Sequence, residues 1–328
     1  MSIRTTVVGS YPKVIEGGAD NLPGTIDRWQ RQILSGQQLD EEIQKVIRRV
    51  IGEQEQAGLD LVTDGQIRWE DLAHPLTRSV RGLNRGALRR FFDNNVYYRR
   101  LELPEGNGGL QWQKSSVAEE FQSASRVARR PVKVALPGPL TLVVFTEIPQ
   151  GQTLEGLTPS GLLSLYADLL RQEVQALEKA GVKEIQIDEP AFKAGEPLLD
   201  AAVESVNRIF EGVKARRWVA CYFHDLSPIL PALGRLRVDL LSLDLVTGPK
   251  VADRLKELKW DGEIALGLLD GRNTKLEPAE EIVSQVKRAA AAIPLNRLWV
   301  SPNCGLEFLP HEAAVKKLNL LQEIKEGI

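Results

Sequence analysis

A closed (β/α)8 barrel is the fold this sequence predicts, and three observations predict it. Eight short apolar or β-branched runs recur along the 328 residues, with helical patterns between nearly all of them. Runs such as 264–269 are apolar throughout, as strands buried on both faces must be. No Gly-x-Gly-x-x-Gly follows the first run and no Pro/Ser-rich linker divides the chain, so a doubly wound sheet or a two-domain split fits less well. The expectation is one α/β barrel domain over 1–328, with 69–125 inserted into it.

The elements follow in order. Thr5 to Pro12 is a β-branched run stopped by Gly9 and Pro12, and makes the first strand. Residues 27–34 and 40–57 read as helices, the second with Ile43, Val46, Ile47, Val50 and Ile51 at helical spacing and Gly58 as its cap. The second strand is 59–65, with Asp64 at its exit. From 69 to 125 the alternation breaks into a stretch rich in arginine (Arg78, Arg81, Arg85, Arg89, Arg90, Arg99, Arg100) and aromatic residues, with a Gly-rich turn at 106–109. It is expected to form in part an antiparallel hairpin folded across one end of the domain. Its basic residues read first as a solvated face, and second as a contact for an anionic partner or cofactor. Strands are then expected at 131–139, 183–190, 218–223, 238–245, 263–270 and 297–301. Helices are expected at 159–180, 198–214, 227–234, 249–258, 278–292 and 311–325.

Composition narrows the function classes. Hydrophobic and charged fractions of 43% and 26% are those of an ordinary globular protein, and a net charge of −2 gives no pull toward nucleic acid or membrane. Two cysteines far apart make no disulfide framework, which favours a reducing compartment. The N-terminus lacks a signal-like apolar segment and no run of eighteen apolar residues occurs, so the expected compartment is the cytoplasm.

Active sites of such barrels gather at the C-terminal ends of the strands. Standing there are Ser10, Asp64, the Pro137-Gly138-Pro139 turn, Asp188 and Glu189, Cys221 with His224, Asp244, Asp270 with Arg272, and Cys304. The strand bodies are otherwise largely aliphatic, and this concentration of reactive groups at one end points to an enzyme. A free cysteine is most often a small buried hydrophobe. Yet two sulfurs, the imidazole of His224 and the carboxylate of Asp244 also make a tetrahedral zinc set. Zinc of that kind binds and deprotonates a substrate thiol, and a thiolate is the nucleophile that alkyl transfer to sulfur needs.

Four motifs carry a family resemblance: Thr6-Val7-Val8-Gly9-Ser10-Tyr11-Pro12, Gly58-Leu59-Asp60 with Asp64-Gly65-Gln66, Ile185-Gln186-Ile187-Asp188-Glu189-Pro190, and Leu298-Trp299-Val300-Ser301-Pro302-Asn303-Cys304-Gly305-Leu306. The chain resembles, nearly end to end, the C-terminal catalytic barrel of the cobalamin-independent methionine synthase family, above all its short single-barrel members. That resemblance implies a zinc-carrying barrel that moves a methyl group to the thiol of homocysteine, forming methionine. It implies Cys304 as a zinc ligand and Asp244 in the place of a glutamate ligand. It implies Ser10 at the amino-acid carboxylate and Asp188, with Glu189 beside it, at the substrate amine. The departures from the pattern are specific. The family ends its fifth strand in His-x-Cys; here either Cys221 falls on the cysteine with Val219 for the histidine, or it falls on the histidine with Phe223 for the cysteine. His224 is the available substitute. Gln66 stands where the family has a second amine-binding glutamate, and Arg272 where larger members have a histidine that assists proton transfer. With the folate-binding N-terminal barrel of the long enzymes absent, the short members imply a corrinoid, methylcobalamin or a corrinoid protein, as methyl donor, beside methyl-tetrahydrofolate. Other chemistry on the same barrel is the alternative: another thiol alkyl transfer, carbon–sulfur cleavage, or decarboxylation of the uroporphyrinogen decarboxylase kind. A non-catalytic barrel that binds a small amino acid or a corrinoid protein is the third reading.

Overall fold

The computed structural model describes residues 3–15, 21–90, 92, 97–104, 109–147, 158–193 and 195–328. Seven parallel strands form its main sheet: β1 (Arg4–Thr5), β2 (Lys133–Pro137), β3 (Glu184–Asp188), β4 (Arg216–Cys221), β5 (Leu240–Asp244), β6 (Glu263–Leu269) and β7 (Leu298–Pro302). They pair in the order β1-β7-β6-β5-β4-β3-β2. Residues 59–63 close the ring between β1 and β2. The Asp60 N–H donates to the Thr5 carbonyl at 3.1 Å, and single parallel bridges join Thr6 to Leu61 and Val62 to Val132. The expected eighth strand is therefore present in space with almost no ladder of its own.

The first strand is also shorter than its β-branched run. Beyond Thr6 the backbone leaves the ladder because its partners are loops: Tyr11 N–H donates to the Gly65 carbonyl and the Ser10 carbonyl accepts from Leu306 N–H, each at 3.0 Å. Helix starts moved for a local reason. Ser35 and Gln38 form a reciprocal capping box, so the helix Gly36–Gln56 begins before its first apolar-periodic residue. Asn21, accepting from Gly24 N–H, starts the preceding helix at Leu22. Pro139–Phe145, expected as part of a turn, is a helix. The helices after β4 and β5 are split into short 3-10 and α pieces, Ser227–Ile229 with Leu230–Leu233 and Val251–Arg254 with Leu255–Leu258.

Between 69 and 125, Asn84–Arg90 pairs antiparallel with Tyr97–Glu102, and two helices absent from the sequence reading, His74–Ser79 and Ser116–Ser125, stand beside it. Phe91 and residues 106–108 of the expected Gly-rich turn lie outside the described residues. No described helix is long and apolar enough to cross a membrane.

Alternate positions on each strand face inward, and they stack in layers. At the floor, Trp218 and Trp299 pack edge to face with centroids 5.2 Å apart, walled by Leu61, Leu240 and Ala265. The guanidinium of Arg4 lies 4.4 Å over the Trp299 ring, Arg216 faces both indoles, and Glu263 pairs with both arginines. One layer up, the ammonium of Lys133 is buried and donates to the Val7 carbonyl (2.8 Å) and to Gln186 Oε1 (2.5 Å). Gln186 passes the polar chain upward, donating to Asp188 Oδ1 at 2.5 Å.

Candidate active site

Above this stack the loops after β1, 59–63, β3, β4 and β7 enclose a cavity of about 20 Å³ lined by Val8, Ser10, Gln66, Leu72, Asp188, Tyr222, Gly305, Glu307 and Phe308. That is roughly room for one water, so a larger ligand enters only as lining side chains move. Ser10 owes its position to two neighbours. Thr63 Oγ1 donates to the Gly9 carbonyl at 2.7 Å on one side, and Gly305 stands on the other. A Cβ at Gly305 would lie 1.9 Å from Ser10 Oγ, so only glycine allows this approach. The Ser10 hydroxyl lies beside the Glu307 carboxylate and favours its charge. Gln66 sits at φ 53°, its N–H held by Asp64 Oδ1 at 2.9 Å. Its Nε2 is buried and has no hydrogen-bond partner among the described residues.

Asp188 forms the base of the cavity at 2% exposure, accepting from Gln186 Nε2 on one oxygen and, at 3.3 Å, from the Tyr222 hydroxyl on the other. Burial pushes its carboxyl well above the usual carboxylate range, with Glu307 acting the same way and Gln186 and Lys133 opposing. Burial likewise raises Glu307 and lowers the Lys133 ammonium. The site thus holds two carboxylates with reluctant charges, three neutral hydrogen-bonding groups, and no cation among its lining residues.

Several expected residues have other duties. Glu189, expected at the substrate, turns away from the cavity. Its carboxylate lies over Gly138, where a Cβ would meet Oε1 at 2.0 Å, and accepts from Leu140 N–H, Thr141 N–H and Thr141 Oγ1 at 2.8, 3.1 and 2.9 Å. It caps the helix Pro139–Phe145 from a neighbouring strand, because a residue one step past inward-facing Asp188 must point outward. Asp244 points inward but both its oxygens are engaged: they accept from the N–H groups of Phe223, Val246 and Thr247, from Thr247 Oγ1 and from Asn303 Nδ2, all within 3.2 Å. Arg272 stands at the rim, its guanidinium 5.2 Å from the Phe223 ring centre and 3.3 Å from Thr247 Oγ1.

The two thiols do not face each other. Cys221 is three positions from inward-facing Trp218 and in register with Leu243, which places it on the helix side of the sheet. The carboxylates felt by Cys221 are Glu189 and Asp188. Cys304, past the end of β7, lies instead among Asp244, Arg272, Asp270 and Glu307. Burial raises both thiols well above the ordinary cysteine range. His224 is half-buried, edge-on to the Phe92 ring at 6.0 Å.

Zinc requires three or four donors within about 2.0–2.3 Å of one point. Among the described residues no three His, Cys, Asp or Glu side chains converge in that way. Asp244 and Cys304 are neighbours; Cys221 is turned outward and the oxygens of Asp244 already hold five donors. The expected set Cys221, His224, Asp244 and Cys304 does not converge among the described residues: Cys221 lies near Glu189 and Asp188, Cys304 among Asp244, Arg272, Asp270 and Glu307, and the oxygens of Asp244 already hold five donors.

Sequence reasoning missed Glu307, Tyr222, Lys133 and Gln186. For the last two a signal existed: Lys133 and Gln186 interrupt apolar strands with Asp188 at the same two-residue phase, which marks a polar inner face. Glu307 carried none beyond its place three residues after Cys304.

Residues 3–326 match the family described as "Cobalamin-independent synthase, Catalytic domain". Methionine synthase of Sulfolobus acidocaldarius is 28% identical over 318 residues, 96% of this chain and 89% of that protein. Methionine synthase of Saccharolobus solfataricus is 27% identical over 319 residues, 96% and 92%. Among solved structures, a B12-independent methionine synthase from Shewanella sp. W3-18-1 in complex with selenomethionine superposes with a TM-score of 0.80 at 22% identity, covering 99% of this chain and 97% of that one. A methyltransferase from Methanosarcina mazei superposes at 0.61 and 14%, covering 98% and 94%. These two likenesses show the barrel fold. The family's description corrects one expectation: a corrinoid donor or partner finds no support in a family that is cobalamin-independent.

Proposed function

The chain belongs to the cobalamin-independent synthase catalytic-domain family, a family of methyltransferases, and from that premise we propose that it transfers a methyl group to the thiol of homocysteine to form methionine. The observation that carries the proposal is the pairing, in one closed cavity, of carboxylates with neutral donors: Asp188 opposite Ser10 and the unpartnered amide of Gln66. A zwitterionic amino acid needs both, an acceptor for its ammonium and donors for its carboxylate. Asp188 takes the ammonium, and Ser10 and Gln66 Nε2 donate to the carboxylate. That leaves the thiol arm to point toward the rim.

The donor we propose is methyl-tetrahydrofolate. The sulfur–carbon bond forms as the carbon–nitrogen bond of the donor breaks, and the proton released by the thiol balances the one taken up by the donor nitrogen. Arg272, which carries a guanidinium where larger members have an imidazole, is not given the proton-relay role. Its part is a fixed positive charge beside the developing thiolate. The barrel acts as one unit over 1–328, with 69–125 as an insertion.

Purified protein given homocysteine should form methionine with methyl-tetrahydrofolate and not with methylcobalamin run in parallel. Methionine from neither donor, or from methylcobalamin alone, refutes the proposal. Metal analysis in the same preparation tests the geometric conclusion, which a zinc content near one per chain would overturn.

A further inference from the structure

We propose that Glu307 is a second ammonium-binding residue of the substrate cavity, sharing the amine of the amino-acid thiol with Asp188. The inference rests on the reading of this cavity as a homocysteine site. Glu307 comes from the short 3-10 turn Leu306–Phe308, on the opposite side of the barrel mouth from the β3 end that carries Asp188. Both side chains line the same cavity, together with Ser10, Gln66 and Tyr222.

Charge makes the case. Two carboxylates enclosed together repel each other and lose hydration, an arrangement that persists where a cation bridges them. No lysine or arginine lines this cavity. Lys13 acts on Glu307 from outside, but its ammonium donates to the Trp69 carbonyl. An ammonium entering between Asp188 and Glu307 relieves the repulsion and meets acceptors on two sides. The Ser10 hydroxyl, beside Glu307, is then placed to donate to the ligand's carboxylate. Gln66, neutral and carrying an unpartnered Nε2, cannot supply a second negative charge; Glu307 supplies it from the other wall.

The test measures kcat and KM of the full chain for homocysteine and for 4-sulfanylbutanoate, the same thiol without its amine, together with calorimetric binding of each. A charge-assisted hydrogen bond lost on Glu307→Gln should raise KM and Kd for homocysteine about tenfold or more. Values for the des-amino thiol should stay within about twofold. Glu307→Asp, which keeps the charge but withdraws it by one methylene, should fall between, and carries the test alone if Glu307→Gln does not fold. Unchanged homocysteine binding in Glu307→Gln, or an equal loss for both thiols, overturns the assignment. Wild-type protein that binds homocysteine but yields no methionine refutes the methyl-transfer reading, while calorimetry still decides Glu307. Wild-type protein that binds no homocysteine overturns both.

Discussion

Replacing Glu189 by glutamine should make the protein less sensitive to alkali rather than simply weaker. Two effects compete at this buried carboxylate. Three hydrogen bonds from Leu140 and Thr141 favour its charge, and so does its place at a helix start. Complete burial disfavours the charge, and the neighbouring Asp188 adds to that. Burial wins: the carboxyl is pushed up from 4.5 to about 8. The folded protein therefore keeps a proton that the unfolded chain has already lost, so this group's contribution to stability is full below about pH 4.5 and is lost as pH rises to about 8. At about 1.36 kcal/mol per pH unit over that window, the ceiling is about 5 kcal/mol. Glutamine is neutral throughout and keeps an oxygen for the two N–H groups. Guanidinium unfolding at pH 5, 7 and 8.5 should show wild type and Glu189→Gln within about 1 kcal/mol at pH 5, with the variant more stable by several kcal/mol at pH 8.5. A variant weaker than wild type at pH 8.5, or a gap that does not change with pH, would refute the reasoning.

Other perturbations follow from the same geometry. Asp244→Ala leaves the N–H groups of Phe223, Val246 and Thr247 without their acceptor; at ~1–3 kcal/mol per orphaned buried group the loss should reach at least ~3 kcal/mol, read as a Tm lower by about 4 °C or more. Gly305→Ala forces Ser10 Oγ out of its 1.9 Å overlap with the new Cβ. It should cost only ~1 kcal/mol of stability yet weaken homocysteine binding about tenfold by calorimetry, and undiminished binding would contradict the role given to Ser10. Ser35→Ala removes the capping box of Gly36–Gln56. A loss of about 1 kcal/mol is expected in denaturant unfolding, with no change in activity.

The barrel was legible in the sequence because its evidence is periodic: apolar strands such as Glu263–Leu269 recur between helices, and no local accident removes eight of them. Boundaries set by one hydrogen bond were less legible. The Ser35–Gln38 box lengthened one helix, and the Glu189 carboxylate turned the segment after Pro137 into another. At the site, Ser10 and Asp188 were found because they end strands, and the structure does bring them to one cavity. The expected zinc set does not converge among the described residues, and Asp244 shows why spacing could not reveal this: its carboxylate is taken up by the N–H groups of the loops around it. Glu307 was invisible, since only the turn after Gly305 brings a lone acidic residue into the cavity beside Ser10.

The indole pair fills the barrel floor below the site. Trp218 and Trp299 are buried there, held by Arg4, Arg216 and Glu263, at the end opposite the cavity. If Asp188 holds the amino acid as proposed, a methyl donor settling over the mouth would cover it, and the thiol should enter first. The thioether should then leave after the spent donor. Turnover would be ordered, with methionine a competitive inhibitor against homocysteine.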